Sequence, residues 1–277
     1  MAYATLLVHV EADPTPDPRL ALAVDLANRF GAKLIGVGAE LYNTAYYGGG
    51  EASFAVGELM ASAMASVEAD LARAEDKFCA AAAAVQAGSE WRAALEFPLA
   101  KLAAECRAAD LVITSRSRHQ SGYEAAASGP LILQAGRPVL VAVPEASVLD
   151  ASTVVVAWKD AREARRALLD ALPFLKLAKT VELVEIVGRK DEAPAATARL
   201  ADVAGHLLLH GVAASTSAEI EDKHATGAEQ LLDFAERKKA GLIVAGGYGH
   251  TRMREWVLGG FTRALLAQSN CSVLFSH

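Results

Sequence analysis

The chain has 277 residues, of which 53% are hydrophobic and 22% charged, with Lys+Arg 27 against Asp+Glu 33 and a formal net charge of −6. That length is enough for one large or two ordinary domains with a real core, and a mildly acidic balance with no basic block argues against DNA or RNA binding. No run approaches the uninterrupted apolar length of a membrane span and the first residues, Met1-Ala-Tyr-Ala-Thr5, form no basic leader region, so a cytoplasmic protein without membrane contact is expected.

Residues 6–10 (Leu-Leu-Val-His-Val) read as a buried strand, stopped by the proline-rich 11–18, which cannot continue a ladder. A helix is predicted over 19–30, where Leu20, Val24, Ala27 and Phe30 share one face and Gly31 is placed as a cap. Residues 33–38 supply a second strand and 42–50 a loop. A long amphipathic helix then covers 52–85, with Met60, Met64, Val67 and Leu71 turned to the core as filler. A weak strand at 90–95, a helix at 99–107, a strand at 111–114, a helix at 125–135 and a strand at 138–143 complete an alternating unit.

After a linker at 144–152 the pattern begins again, with a strand at 154–158, a helix at 162–175 and a strand at 181–187. Leu6 lies over Val154 and Lys33 over Val181 at one offset, 148 residues; further on, residues 110–115 lie over 241–246, and 138–140 over 272–274. The chain therefore reads as two copies of one domain, residues 1–147 and 148–277. Alternating β and α elements at this loop length predict α/β architecture in both copies: open parallel sheets with helices on both faces, joined by right-handed crossovers. Ligands of such sheets bind beyond the carboxyl ends of the strands, where strand order reverses.

The most informative stretch is 241–266. Leu242 to Ala245 is a short apolar strand, Gly246, Gly249, Gly259 and Gly260 punctuate the connection after it, and residues 261–268 have helical spacing. Glycines permit positive φ and a close backbone approach, and a helix start offers unpaired N–H groups and a positive dipole end: the parts of a phosphate cradle. The spacing Gly246-x2-Gly249-x9-Gly259 resembles that of the universal stress protein family, whose nucleotide-binding members follow the last glycine with Ser or Thr. Here Gly260 holds that position and Thr262 is the nearest hydroxyl.

The resemblance, which covers nearly the whole chain as a tandem pair, implies a strand order of 3-2-1-4-5 in each copy. It also implies pairing of the last strands, so that one chain imitates a dimer, with further association into a homodimer as a second step. It implies a stress-response protein binding one ATP or related adenine nucleotide, with or without Mg²⁺, in its C-terminal copy. Ala245, Gly246, Gly249, Gly259, Gly260 and Phe261 would line the phosphate side, and Ile186 would offer backbone groups to the base. Family members place Asp or Asn after the first strand as acceptor; this chain has Lys159, with Asp160 beside it. An ammonium has only donors, so either Lys159 approaches phosphates while Asp160 accepts, or base recognition is lost. In the first copy Ser115 and Arg118 stand opposite Gly246 and Gly249, and Ala125-Ala126 opposite Gly259-Gly260, so that copy is expected to have a degenerate site.

Other chemistry finds little support. No G-x-G-x-x-G follows either first strand, no P-loop occurs, and Cys79, Cys106 and Cys271 match neither a disulfide framework nor a zinc site. His206 and His210, four apart, lack a placed third ligand. His250, Arg252 and Arg254 in the spacer read equally as phosphate contacts or as a solvated face. No catalytic residue and no metal ligand is assigned, and at most slow hydrolysis is expected. The rivals to nucleotide binding are an interaction or scaffold protein of the same fold and a slow hydrolase.

Overall fold

The computed structural model describes residues 2–13, 16–41, 53–116, 125–247 and 259–277. In the first half run β1 (Thr5–His9), α1 (Pro18–Phe30), β2 (Lys33–Ala39), α2 (Ser53–Ala82), β3 (Ser89–Ala94), α3 (Pro98–Glu105), β4 (Leu111–Ser115), α4 (Ala125–Gln134) and β5 (Val139–Ala142). The second half repeats them as β6 (Thr153–Ala157), α5 (Arg162–Asp170), α6 (Leu172–Leu177), β7 (Thr180–Val187), α7 (Ala193–Leu209), β8 (Ser215–Ile220), α8 (Gly227–Arg237), β9 (Leu242–Gly246), α9 (Gly260–Gln268) and β10 (Ser272–Ser276).

The strands form one sheet in the order β3-β2-β1-β4-β5-β10-β9-β6-β7-β8, so each half has the order 3-2-1-4-5. Within each half the neighbouring strands are parallel. The halves meet where β5 and β10 pair antiparallel, Leu140 opposite Leu274. The central strands are apolar on both faces, as a sheet covered by helices on both sides requires. One face packs under α1, α2, α5, α6 and α7 through Leu6, Val8, Phe78, Val154, Phe174 and Leu183. The other packs under α3, α4, α8 and α9 through Leu7, Val112, Leu131, Phe234, Leu265 and Phe275. Across the seam on the first face, the rings of Tyr3, Phe30 and Phe174 meet edge-on at 5.0 to 5.6 Å, and the Tyr3 hydroxyl donates to the Asp170 carbonyl.

The local signals act as expected at α1. Asp17 caps its start by accepting from the Leu20 N–H, and Gly31 ends it at φ 64, a conformation other residues adopt only with strain. Three predictions are corrected. The helix over 162–175 is two helices, because Pro173 has no N–H to continue α5 and instead occupies the first turn of α6. On α2 the buried stripe is Val67, Ala74, Phe78 and Ala82, whereas Met64 is 38% exposed.

The repeat offset also changes. Thr5 pairs with Lys33 and Thr153 with Thr180, so the first two strands correspond at 148 and the next two at 147. The face assignment agrees: Leu34 and Val181 share one side, and a one-residue slip would turn each strand inside out. The predicted loop at 42–50 lies outside the described residues.

Candidate functional site

Strand order reverses in the second half between β6 and β9, whose register runs from Val154 opposite Leu242 to Ala157 opposite Ala245. The chain leaves β6 through Trp158, whose N–H donates to the Val184 carbonyl at 2.7 Å. It then turns tightly, the Ala161 N–H reaching the Lys159 carbonyl at 2.6 Å. Beside this turn, at the carboxyl ends of β6 and β7, lies an open cleft of about 470 Å³, lined by Lys159, Glu185, Ile186, Val187, Arg189 and Arg199 among others. Two of the predicted site residues, Lys159 and Ile186, therefore stand together.

Asp160 does not. It is outside the cleft lining, and its carboxylate accepts from Arg165 Nη2 at 2.7 Å in a pair whose side chains are more than half exposed. That hydrogen bond holds the Asp160 carboxyl below its usual range. The carboxylates that do line the cleft are Asp191, Glu192 and Glu185, and the buried one is Glu185. Its side chain is 8% exposed, and Arg199 on α7 grips both oxygens, Nη2 to Oε1 at 2.5 Å and Nε to Oε2 at 3.3 Å. Sequence reasoning missed this pair. The available signal was a glutamate inside a strand otherwise apolar enough to be buried on both faces, since a buried carboxylate demands a partner.

The glycines divide into two kinds. Gly246 does not take positive φ. A Cβ there would stand 2.8 Å from the Ala164 nitrogen and the Glu163 carbonyl carbon and 2.9 Å from Glu163 Cβ, so glycine is needed where the end of β9 meets the first turn of α5. The side that a Cβ would occupy at Gly246 thus faces α5. Around Gly259 and Gly260 no described residue lies within 4 Å of the space a Cβ would enter, and Gly259 has φ −52. Among the described residues, neither crowding nor backbone conformation demands glycine at these two positions. They open α9 with no side-chain cap, which leaves the start of a nine-residue helix exposed as a set of N–H donors.

Phe261 next to them is 38% exposed. Two further expectations are corrected here. Thr262 is 2% exposed, turned into the structure on the inner side of α9, and Ala245 is 1% exposed in the interior of β9, so neither presents a side chain to the crevice. Gly249, His250, Arg252 and Arg254 lie outside the described residues. His206 and His210 meet ring to ring at 4.8 Å on α7, and among the described residues no cluster of three metal-ligating side chains forms.

The first half handles the same positions differently. Glu11, the counterpart of Lys159, accepts from Arg19 at 2.9 Å, and Asp17 and Lys77 complete a largely buried charge network beside His9. Gly38 occupies the place of Glu185, and the Trp91 ring stands 2.6 Å from where a Cβ would be. Ser115 ends β4 where Gly246 ends β9; Arg118 is outside the described residues.

Residues 152–277 match the model of the universal stress protein family. No curated protein matches the sequence. Among solved structures, the chain is similar to a universal stress protein from Archaeoglobus fulgidus DSM 4304, at 17% identity and TM-score 0.69, covering 98% of this chain and 95% of that one. It is also similar to a protein of unknown function from Pseudomonas aeruginosa PAO1, at 15% identity and TM-score 0.60 over 99% and 92%. The cytoplasmic domain of a prokaryotic cation chloride cotransporter is similar at 14% identity and TM-score 0.52 over 98% and 94%. These likenesses concern the fold, and they run through both halves. No helix among the described residues is long and apolar enough to cross a membrane.

Proposed function

We propose that the C-terminal half is a nucleotide-binding domain of universal stress protein type that takes one ATP or a related adenine nucleotide, with or without Mg²⁺. In this reading the phosphates meet the N–H groups at the start of α9, and the nucleoside lies toward the cleft between the ends of β6 and β7. The observation that carries it is the pair Gly259-Gly260, which no described residue crowds, at an exposed helix start beside a strand-order reversal. Lys159 supplies a cation at the cleft, and Ile186 main-chain groups.

The test is a calorimetric titration of ATP, with and without Mg²⁺, into the wild type and Gly260→Asp. A carboxylate at a helix start favours the helix but repels phosphate, so the variant should fold at least as well and bind at least tenfold more weakly. Equal affinity in both proteins would refute the placement. Silence in both would favour the rival reading, an interaction protein without nucleotide, which draws on Asp160 being already engaged by Arg165.

A further inference from the structure

Resting on the nucleotide reading, we infer that Glu185, held by Arg199, reads the vicinal hydroxyls of the ligand's sugar, which makes the site selective for ribonucleotides over deoxyribonucleotides. The cleft presents one fixed carboxylate and a lysine at the adjoining strand end. A carboxylate carries about four acceptor positions. Arg199 takes one on each oxygen, and its two-pronged grip sets the plane of the group. A carboxylate's remaining positions accept and do not donate. A neighbouring pair of hydroxyls is a double donor of matching span. The other carboxylates of the lining, Asp191 and Glu192, also face an arginine, Arg189, but their side chains are 70% and 46% exposed, whereas Glu185 is held in place at 8%.

The geometry of β7 adds a reason for the position. Ile186 packs into the core on the α8 and α9 face, so by the alternation of a strand its neighbour Glu185 points to the opposite face, where α7 brings Arg199 onto it near the carboxyl end of β7. A residue there meets whatever lies over the strand ends. In the first half this place is Gly38, filled by the Trp91 ring, so the acceptor belongs to the C-terminal copy alone.

The experiment titrates ATP, 2′-deoxyATP and 3′-deoxyATP into the full chain and its Glu185→Met, Glu185→Gln and Asp160→Asn variants. The expected wild-type result is a preference of about tenfold or more for ATP over either deoxy form, the size expected when an acceptor built for a hydroxyl loses it. Glu185→Met should bring all three ligands to one affinity, and Glu185→Gln, which keeps the volume and one acceptor oxygen, should narrow the preference. Asp160→Asn should keep it. Comparing ligands within one protein cancels any general weakening from a disturbed fold. A wild-type ratio near one with tight ATP binding, or a ratio that survives Glu185→Met, would overturn the inference while leaving nucleotide binding intact; no binding of any of the three would overturn both.

Discussion

Replacing Gly246 and Gly260 in turn separates packing from recognition. In Gly246→Ala the new methyl would stand 2.8 Å from two main-chain atoms of Glu163 and Ala164, against the 3.4–4 Å of ordinary contact. Backbone cannot rotate away as a flexible side chain would, so the first turn of α5 must shift by more than half an ångström relative to the sheet. That turn carries Glu163, 5% exposed, and hydrogen-bonds Arg165 N–H to the Ala161 carbonyl at 3.1 Å, which ties the displacement back to the loop after β6. Overpacking of this kind costs about 1–3 kcal/mol, which for a chain of this size lowers Tm by roughly 2–5 °C.

Gly260→Ala meets no described residue within 4 Å, and alanine in the first turn of a helix gains up to about 1 kcal/mol over glycine. Its Tm should stay level or rise, while on the proposed nucleotide reading ATP affinity falls because the methyl enters the space assigned to the phosphates. Thermal melts by circular dichroism with parallel titrations measure both. A Gly246→Ala protein as stable as wild type, or a Gly260→Ala protein several degrees less stable, would refute the division of the glycines into a packed one and a bare one. The same reasoning disqualifies Gly246 variants as reporters of ligand binding, because they disturb the fold first.

Two further outcomes follow from the described residues. Burial brings the His9 imidazole from 6.5 down to about 4 despite the nearby carboxylates of Glu11 and Asp17. The unfolded chain therefore takes up a proton between those values that the folded one refuses; stability is lost as pH falls through that window, by about 3 kcal/mol in all. Urea unfolding at pH 7 and pH 4.5 should show a fall about 2 kcal/mol smaller in His9→Gln than in wild type, and an identical fall would refute it. At α8, Thr226 accepts from the Glu229 N–H while the Glu229 carboxylate receives the Thr226 N–H at 2.7 Å. Thr226→Ala should cost about 1 kcal/mol in the same assay, and a loss below the error of the measurement would argue that the box contributes nothing.

The sheet was legible because its strands are short apolar runs separated by helical periods, a pattern that few topologies satisfy. The repeat made the pairing of halves legible as well. What escaped was one-residue detail: β7 tolerates two alignments with the first copy, because Val181, Leu183, Val184 and Val187 are apolar on both faces and only contact with α7 decides between them. The site failed in the same way. Spacing shows that Gly246 carries no side chain but not which side of the backbone is crowded, and adjacency to Lys159 made Asp160 the apparent acceptor when the cleft is reached by a glutamate from the neighbouring strand. A sequence orders residues along a line, whereas the carboxyl edge of a parallel sheet gathers them from strands tens of residues apart.

The two copies differ most where they correspond. Residue 11 and residue 159 both follow the N–H that bonds into the second strand, Val10 to Val37 at 2.9 Å and Trp158 to Val184 at 2.7 Å. One is an acid and the other a base. The acid of the first copy is engaged by Arg19, whose side chain is 9% exposed and whose Nε is among the buried atoms without a hydrogen-bond partner. Asp17 holds the same guanidinium at 3.3 Å, so the acid of the first copy belongs to a shared network rather than to a single pair. In the second copy Lys159 leaves no acid to engage, and the carboxylate comes from Glu185 at a position the first copy fills with an indole ring. The strand ends are thus filled differently: in the first half by an acid paired with Arg19 and by an indole ring, in the second by a lysine and an arginine-held glutamate that line a cleft. A ligand that exploits the C-terminal copy should therefore gain nothing from the N-terminal one, and a stoichiometry of two nucleotides per chain would contradict the assignment of these residues.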